Sequence, residues 1–455
     1  MSFLIMAKVL TIKKGLSLKL KGAAPQEYLS PVSACSSYAL VPDDFQGVVP
    51  KLLVREGDKV AAGDAVFFHK RMPSVMFVAP VSGEVTAINR GAKRKVLSIE
   101  IKPDAEQTYR TTDVSRVPSM GREEIRELLC KSGLWGFMRQ RPFDIVPDPA
   151  IVPRDIFITA NFTAPLAPDF DFLAKGHESE IQLALDVLGK LTDGKVYLGT
   201  KPGSLTGIQG VEHYEVKGAH PAGLVGVLIN KVKPVNKDET VWTLKASDLI
   251  VLGRFLKTGK PDFSRTIAIT GSDAKEHGYV TVIPGTNIKE AFRGRLTKKE
   301  THERVIDGNV FTGVKLTEER PFISFACDQI TVIPEGDDVD EIFGWIAPRT
   351  DQYSVSRSYC SWLHPNKEYA LDARIKGGER AMIQSNEYDR VFPFDIYPEY
   401  LLKAIIAFNI TDMENRGIYE VAPEDFSVCE FVDSSKMQLQ EIVRKGLDLL
   451  YNEIN

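Results

Sequence analysis

The sequence predicts a multidomain α/β protein. It should comprise a small antiparallel β module, an open α/β domain, a second small β-rich domain and a helical C-terminal region. Three observations carry this. Between Val48 and Ile101 short β-rich runs alternate with tight-turn residues; from Asp155 to Leu198 a strand, a helix and a strand follow one another; and after Pro393 the apolar residues adopt helical spacing. The length of 455 residues corresponds to about three domains at ~150 residues each. A hydrophobic content of 43% with 26% charged residues supplies apolar material for several cores.

Taken in order, the first module reads VVPKLLV, EGDKVAAGDAVFF, VMFVAPVSGEVTAINRG and VLSIEI. Glu56-Gly57-Asp58, Gly63-Asp64 and Ser82-Gly83 mark its turns. This pattern of EGDxVxxGD followed by an Ala-Pro pair resembles biotinyl and lipoyl carrier domains, a flattened β hammerhead. In those carriers the modified lysine lies at a hairpin tip about seven residues before the Ala-Pro pair. Counting back from Ala79 gives Met72, with Lys70 close by but without a ligase's recognition residues, so no covalent carrier lysine is expected. Residues 103–120 read as a linker. A helix is expected over Arg122–Lys131, with Ile125, Leu128 and Leu129 on one face and Gly133 as its stop. Asp155–Ala160 is a buried-strand candidate, Ile181, Leu185, Leu188 and Leu191 are spaced for a helix, and Val196–Leu198 is the next strand, together a Rossmann-like domain. The 220–232 stretch reads equally well as helix or strand. Short strands at Thr266–Thr270, Val280–Ile283, Val310–Phe311 and Ile330–Ile333, with a helix near Ile288–Phe292, suit a small β-grasp domain. Pro398–Phe408 and Lys436–Tyr451 are helical. The expected boundaries are 1–103 for the N-terminal segment and hammerhead, 104–260 for the linker helix and Rossmann-like domain, 261–340 for the β-grasp domain and 341–455 for the helical region.

Several functions are disfavoured. A net charge of -4 argues against a phosphate-binding surface for nucleic acid. The five cysteines, at 35, 130, 327, 360 and 429, form no CxxC pair and are expected to be reduced, mostly buried thiols. No apolar run approaches the ~18–20 residues of a spanning helix, and Lys8, Lys13 and Lys14 follow Met1–Met6 too soon for a signal peptide. After Asp155–Ala160 comes Asn161-Phe162-Thr163-Ala164-Pro165, whose bulk and proline disfavour a pyrophosphate-cradling turn. The seven histidines are scattered, and no P-loop or HExxH motif occurs. No catalytic residue and no metal site is assigned.

The most informative stretch is SGLWGFMRQRPF, residues 132–143. Its two ends resemble the SGLxGxGGAGFP loop that holds FMN phosphate in the flavin-bearing subunit of respiratory complex I. Glycines serve there because backbone N–H groups must approach the phosphate closely. Phe137, Met138, Arg139 and Gln140 stand in that turn here, so their side chains are expected to fill the phosphate space. The CxxCxxC cluster motif of that subunit is also missing.

An ordered set of motifs extends the resemblance along the chain. Ile12-Lys13-Lys14-Gly15-Leu16 comes first, then Ile88-Asn89-Arg90-Gly91-Ala92-Lys93-Arg94, the 132–143 loop and His220-Pro221-Ala222-Gly223-Leu224. Phe343-Gly344-Trp345 and Ser354-Val355-Ser356-Arg357 complete it. In this order they are similar to the NqrA subunit of the bacterial sodium-translocating NADH:quinone oxidoreductase, from about Val9 to Leu450. The resemblance implies that the β-grasp part is SLBB-like. It implies a peripheral subunit on the cytoplasmic face of the bacterial inner membrane, docked on integral membrane and redox subunits. No cofactor is expected in this chain, whereas FMN, FAD, riboflavin and iron–sulfur are expected in the partner subunits. The assembled pump passes electrons from NADH to ubiquinone or menaquinone while exporting Na+, and the isolated chain is expected not to be catalytic. The alternatives are a free-standing flavin or NAD oxidoreductase on the related scaffold and a biotinyl or lipoyl carrier. Candidate quinone contacts are Phe45, Trp135 and Phe143, as stacking rings, and Arg141, as donor to a carbonyl oxygen. The competing expectation is that these four pack the junction between the hammerhead and the Rossmann-like domain, or contact a membrane subunit. Lys93, Arg94 and Lys95 form a basic cluster; most such clusters are solvated, but near anionic lipid each cation gains ~1 kcal/mol.

Overall fold

A computed structural model describes residues 7–298, 302–339, 349–357, 359–383 and 386–454. Its central element is a six-stranded sheet in the order Lys8–Thr11, Glu212–Lys217, Val196–Thr200, Ile156–Thr159, Val241–Lys245 and Arg139–Arg141. The first five strands are parallel and the last is an antiparallel edge. Strands such as Val196–Thr200 are buried along their whole length, as required when both faces of a parallel sheet are covered. The helices Glu178–Gly189 and Ala246–Thr258 pack on each other, while Val225–Val232 packs on Ile156–Thr159. The ambiguous 220–232 stretch thus resolves into a turn with a cis His220-Pro221 bond followed by that helix. Residues 8–11 join this sheet although they precede the hammerhead in the sequence.

The hammerhead consists of two antiparallel sheets. One runs in the order Tyr38–Leu40, Val96–Pro103, Gly83–Arg90, Lys59–Val60, and the other Pro50–Leu52, Ala65–His69, Met72–Val78. The turn residues act as their chemistry predicts. The Asp58 carboxylate accepts from the Arg55 amide at 2.7 Å, and the Asp64 carboxylate accepts from the Ala61 amide at 2.8 Å. Val66, Phe67, Val75, Phe77, Val85, Ile99 and Ile101 fill the space between the sheets.

The β-grasp domain is a five-stranded sheet ordered Gly278–Val282, Arg265–Thr270, Gln329–Pro334, Glu303–Asp307 and Val314–Lys315, with the one-turn helix Ile288–Ala291. One expectation fails here. Val310–Phe311, read as a strand, lies in the turn between the last two strands. The Asn309 side chain holds that turn by accepting from the amides of Phe311 and Thr312. The apolar pair mimics a strand because it packs against a small separate cluster around Leu18, Leu20 and Tyr369.

The C-terminal region supplies the helices Pro398–Ile406, Ile410–Asn415, Ser427–Val432 and Leu439–Ile454. The last buries Leu439, Val443, Leu447 and Leu450 of the stripe that the spacing predicts, with Ile442 at its margin and Gly446 buried beside them. Phe343-Gly344-Trp345 lies outside the described residues. Among the described residues no helix is long and apolar enough to cross a membrane. Cys35, Cys130, Cys327 and Cys429 are buried free thiols and Cys360 is exposed.

Candidate functional site

The 132–143 loop lies where all four parts of the chain meet. Helix Arg122–Lys131 ends at Gly133, whose φ of +79° continues the chain into the short 3-10 turn Leu134–Phe137. A Cβ on Gly133 would lie 2.7 Å from the Val78 side chain of the hammerhead, and one on Gly136 would lie 2.8 Å from the Phe45 ring. Both glycines are therefore needed for close approach to the hammerhead.

On this side of the junction aromatic rings fill the space. Phe45 packs on Phe77 at 4.4 Å between centroids and on Phe325 of the β-grasp domain at 5.0 Å, and Phe137 stacks on Phe325 at 4.7 Å. Trp135 meets Trp242 edge-on at 5.1 Å and donates its indole N–H to the Pro147 carbonyl at 2.9 Å. Asp44 ties three parts together. Its carboxylate accepts from the Phe325 amide at 2.9 Å and from Arg320 at 3.0 Å, while its carbonyl accepts from Arg139 at 2.9 Å. Burial pushes the Asp44 carboxyl up to about 7, with Arg320 and the Phe325 amide opposing the rise.

The other side is ionic. Arg141 is fully buried and donates to Asp425 at 2.7 Å, to the Glu420 carbonyl at 3.1 Å and to Glu424 at 3.2 Å. Burial works against its charge, but the Asp425, Asp144 and Glu424 carboxylates outweigh burial and hold the guanidinium protonated. Asp425 also accepts from the Ala422 amide at 2.8 Å, capping the turn Pro423–Phe426. Phe143 has a left-handed φ of +80° and meets Tyr451 edge-on at 5.2 Å, while its carbonyl accepts from Arg444 of the last helix at 2.6 Å.

All four sequence candidates are thus buried and held by protein groups, and they fall in different places. Phe45 and Trp135 belong to the core shared by the hammerhead and the α/β sheet, Phe143 belongs to the C-terminal core, and Arg141 bonds to the C-terminal turn. Sequence reading missed a second ionic cluster. Arg265 donates to Asp248 at 3.0 Å, to Asp328 at 2.8 Å and to the Phe325 carbonyl at 2.7 Å, and Lys245 reaches Asp328 at 3.1 Å. It lies at the carboxyl end of Val241–Lys245 and fastens the sheet to the β-grasp domain. These partners lie up to 83 residues apart and those of Arg141 as many as 284, so no local motif signals either cluster.

Beyond Ile156–Thr159, residues of the stretch that the sequence marks as too bulky for a pyrophosphate bond to other protein groups. Asn161 donates to the Val216 carbonyl at 2.9 Å, and Thr163 pairs with His220 at 3.1 Å. Burial lowers His220 to about 4, so it is neutral, and its ring stacks on Phe311. At the hammerhead tip Lys70 is exposed, and Arg71 lies over the Tyr451 ring at 5.7 Å.

Comparison with known proteins matches three family models along the chain. The NqrA N-terminal barrel-sandwich hybrid domain covers residues 10–104, the NqrA second alpha/beta domain 120–261, and the NQRA C-terminal domain 266–318. The chain is 34% identical over 452 residues to the NqrA subunit of the Na(+)-translocating NADH-quinone reductase of Serratia proteamaculans, covering 98% of this chain and 100% of that one. It is 33% identical over 450 residues to the Neisseria meningitidis serogroup B protein of the same name, with the same coverage. With that of Rhodopirellula baltica it shares 35% over 452 residues, 98% of each chain. Among solved structures, a chain of an NAD+-reducing [NiFe]-hydrogenase in the H2-reduced state aligns with a TM-score of 0.39 and 10% identity. That alignment covers 74% of this chain and 65% of the other, a likeness too faint to carry an argument. With a third of its residues shared over nearly its whole length, the chain belongs to the NqrA family of the Na+-translocating NADH-quinone reductase, a sodium-transporting respiratory enzyme whose other subunits are its partners.

Proposed function

We propose that this chain is a peripheral subunit without a redox cofactor of its own, bracing the integral membrane and redox subunits of the pump on the cytoplasmic face of the bacterial inner membrane. Electrons then pass from NADH to quinone through flavins (FMN, FAD, riboflavin) and iron–sulfur held by the partners. The observation that carries this is the packed 132–143 loop. Trp135, Phe137, Met138, Gln140 and Arg141 are buried, and the amides of Met138, Gln140 and Asp144 donate to the carbonyls of Trp135, Ile145 and Gln140. A flavin phosphate needs free amides and open space at such a turn, whereas here these amides are taken and the side chains are packed.

The four quinone-contact candidates then serve the junction and, through it, assembly. Their burial supports this role over contact with a quinone ring, which would require the junction to open. The test uses the purified chain and the assembled complex. The expected result is a purified chain that is colourless above the aromatic band and, in the complex, co-purification of the chain with the membrane subunits. A stoichiometric yellow chromophore on the isolated chain would sink the reading. Arg141→Ala with Phe143→Ala lowers the yield of complex more than it raises the quinone KM; intact assembly with a raised KM would restore the quinone contact.

A further inference from the structure

From the hairpin between Gly83–Arg90 and Val96–Pro103 we infer that its tip binds the headgroups of anionic phospholipids. The inference rests on the reading of the chain as a peripheral subunit. Arg90, Lys93, Arg94 and Lys95 are all exposed within six residues and no acid stands among them. Asp43 pairs with Lys95 at 2.6 Å, whereas Lys93 and Arg94 have no acidic partner among the described residues. Arg90 donates to the Arg94 carbonyl at 3.2 Å, which holds the Arg90 guanidinium against the turn.

The backbone sharpens the point. The Lys95 amide donates to the Ala92 carbonyl, and the two residues between them have φ of +54° and +61°. This is a tight turn with both central residues left-handed, the geometry that asparagine followed by glycine adopts with least strain. Lysine and arginine occupy it here, so the turn keeps two cations where relaxed backbone would call for other residues. Leu97 lies beside them, 45% exposed and packed along Gly91. Exposed arginine and lysine around one apolar side chain suit a lipid surface. The guanidinium and ammonium groups take the phosphates, the apolar side chain enters the headgroup layer, and no shape-matched partner is needed. The whole chain carries a net charge of -4, so attraction to an anionic bilayer has to come from a local excess of cations such as this tip.

The test mixes the full chain with vesicles of phosphatidylcholine, with and without phosphatidylglycerol, and compares it with the variant Lys93→Asn/Arg94→Gly. That variant installs the residues this turn prefers, so its thermal midpoint is kept or raised. The wild-type chain binds the phosphatidylglycerol vesicles in preference to the neutral ones, and binding weakens as salt is added. The variant binds the anionic vesicles about 30-fold more weakly, from about five-fold per cation lost. Equal binding of wild type and variant, or no preference of the wild type for anionic vesicles, overturns the inference. Unchanged vesicle binding with loss of the variant from the complex would mean that the tip grips an acidic protein face, and the lipid inference fails while the subunit reading stands. A wild-type chain that does not join the other subunits defeats that reading instead, whatever the vesicles report.

Discussion

Replacing Arg141 with methionine tests the ionic side of the junction most directly. Both Arg141 and Asp425 have side chains that are 0% exposed, whereas Glu424 is 37% exposed and can return to water when its partner is lost. The cost therefore falls on Asp425. Without the guanidinium its carboxylate keeps only the Ala422 amide, and its Oδ1 already lacks a partner. Methionine is an unbranched chain able to fill much of the vacated space, so the stranded charge dominates over any cavity. Removing one partner of a buried pair costs about 3–5 kcal/mol. For a cooperative unit of this size each kcal/mol shifts the midpoint by roughly 2–4 °C, giving a fall of roughly 6–20 °C. Thermal and urea unfolding followed by tryptophan fluorescence would measure it, with Trp135 as a nearby reporter. Arg141→Met/Asp425→Leu should recover most of the loss, because both desolvated charges are then gone. A single variant within ~1 kcal/mol of wild type, or a double variant as unstable as the single one, would refute the argument.

Asp44 gives a pH signature. Its carboxyl is held at about 7 in the fold, above the ordinary aspartate value of about 4 for the unfolded chain, so between these limits the native state holds the extra proton. Stability from this group is complete at low pH and declines as pH rises towards 7, at up to ~1.4 kcal/mol per pH unit. Subtracting the melting profile of Asp44→Asn from that of wild type should isolate the slope; a flat difference over that window would contradict the assignment. Gly133→Ala adds left-handed strain to a Cβ contact of 2.7 Å with Val78, so a loss of about 1–3 kcal/mol is expected by chemical denaturation. Thiol titration of the native chain should modify Cys360 rapidly and the remaining four only after denaturation. Two fast thiols would show that one of the buried cysteines is accessible.

Much of this protein is written locally. The turns at Gly57 and Gly63, the helix Arg122–Lys131, the strand inside Asp155–Ala160 and the stripe on the last helix all follow from periodicity and turn chemistry, because those preferences act within a few residues. The bulky residues in place of a glycine-rich turn at 137–140 were legible in the same way, and so were the ordered motifs that mark the family. Tertiary structure alone decided the rest. It drew residues 8–11 into the α/β sheet, turned Phe311 into a contact for His220, and placed Asp44, Arg265 and Asp425 at the seams between domains. It also buried the four quinone-contact candidates in different places, Phe45 and Trp135 in the core beside the hammerhead, Phe143 in the C-terminal core and Arg141 against the C-terminal turn. A desolvated ion pair depends on partners that only folding brings together, so its two halves look like ordinary surface charges in the sequence. The glycines at 133 and 136 read as loop punctuation until the hammerhead side chains packed against them are seen.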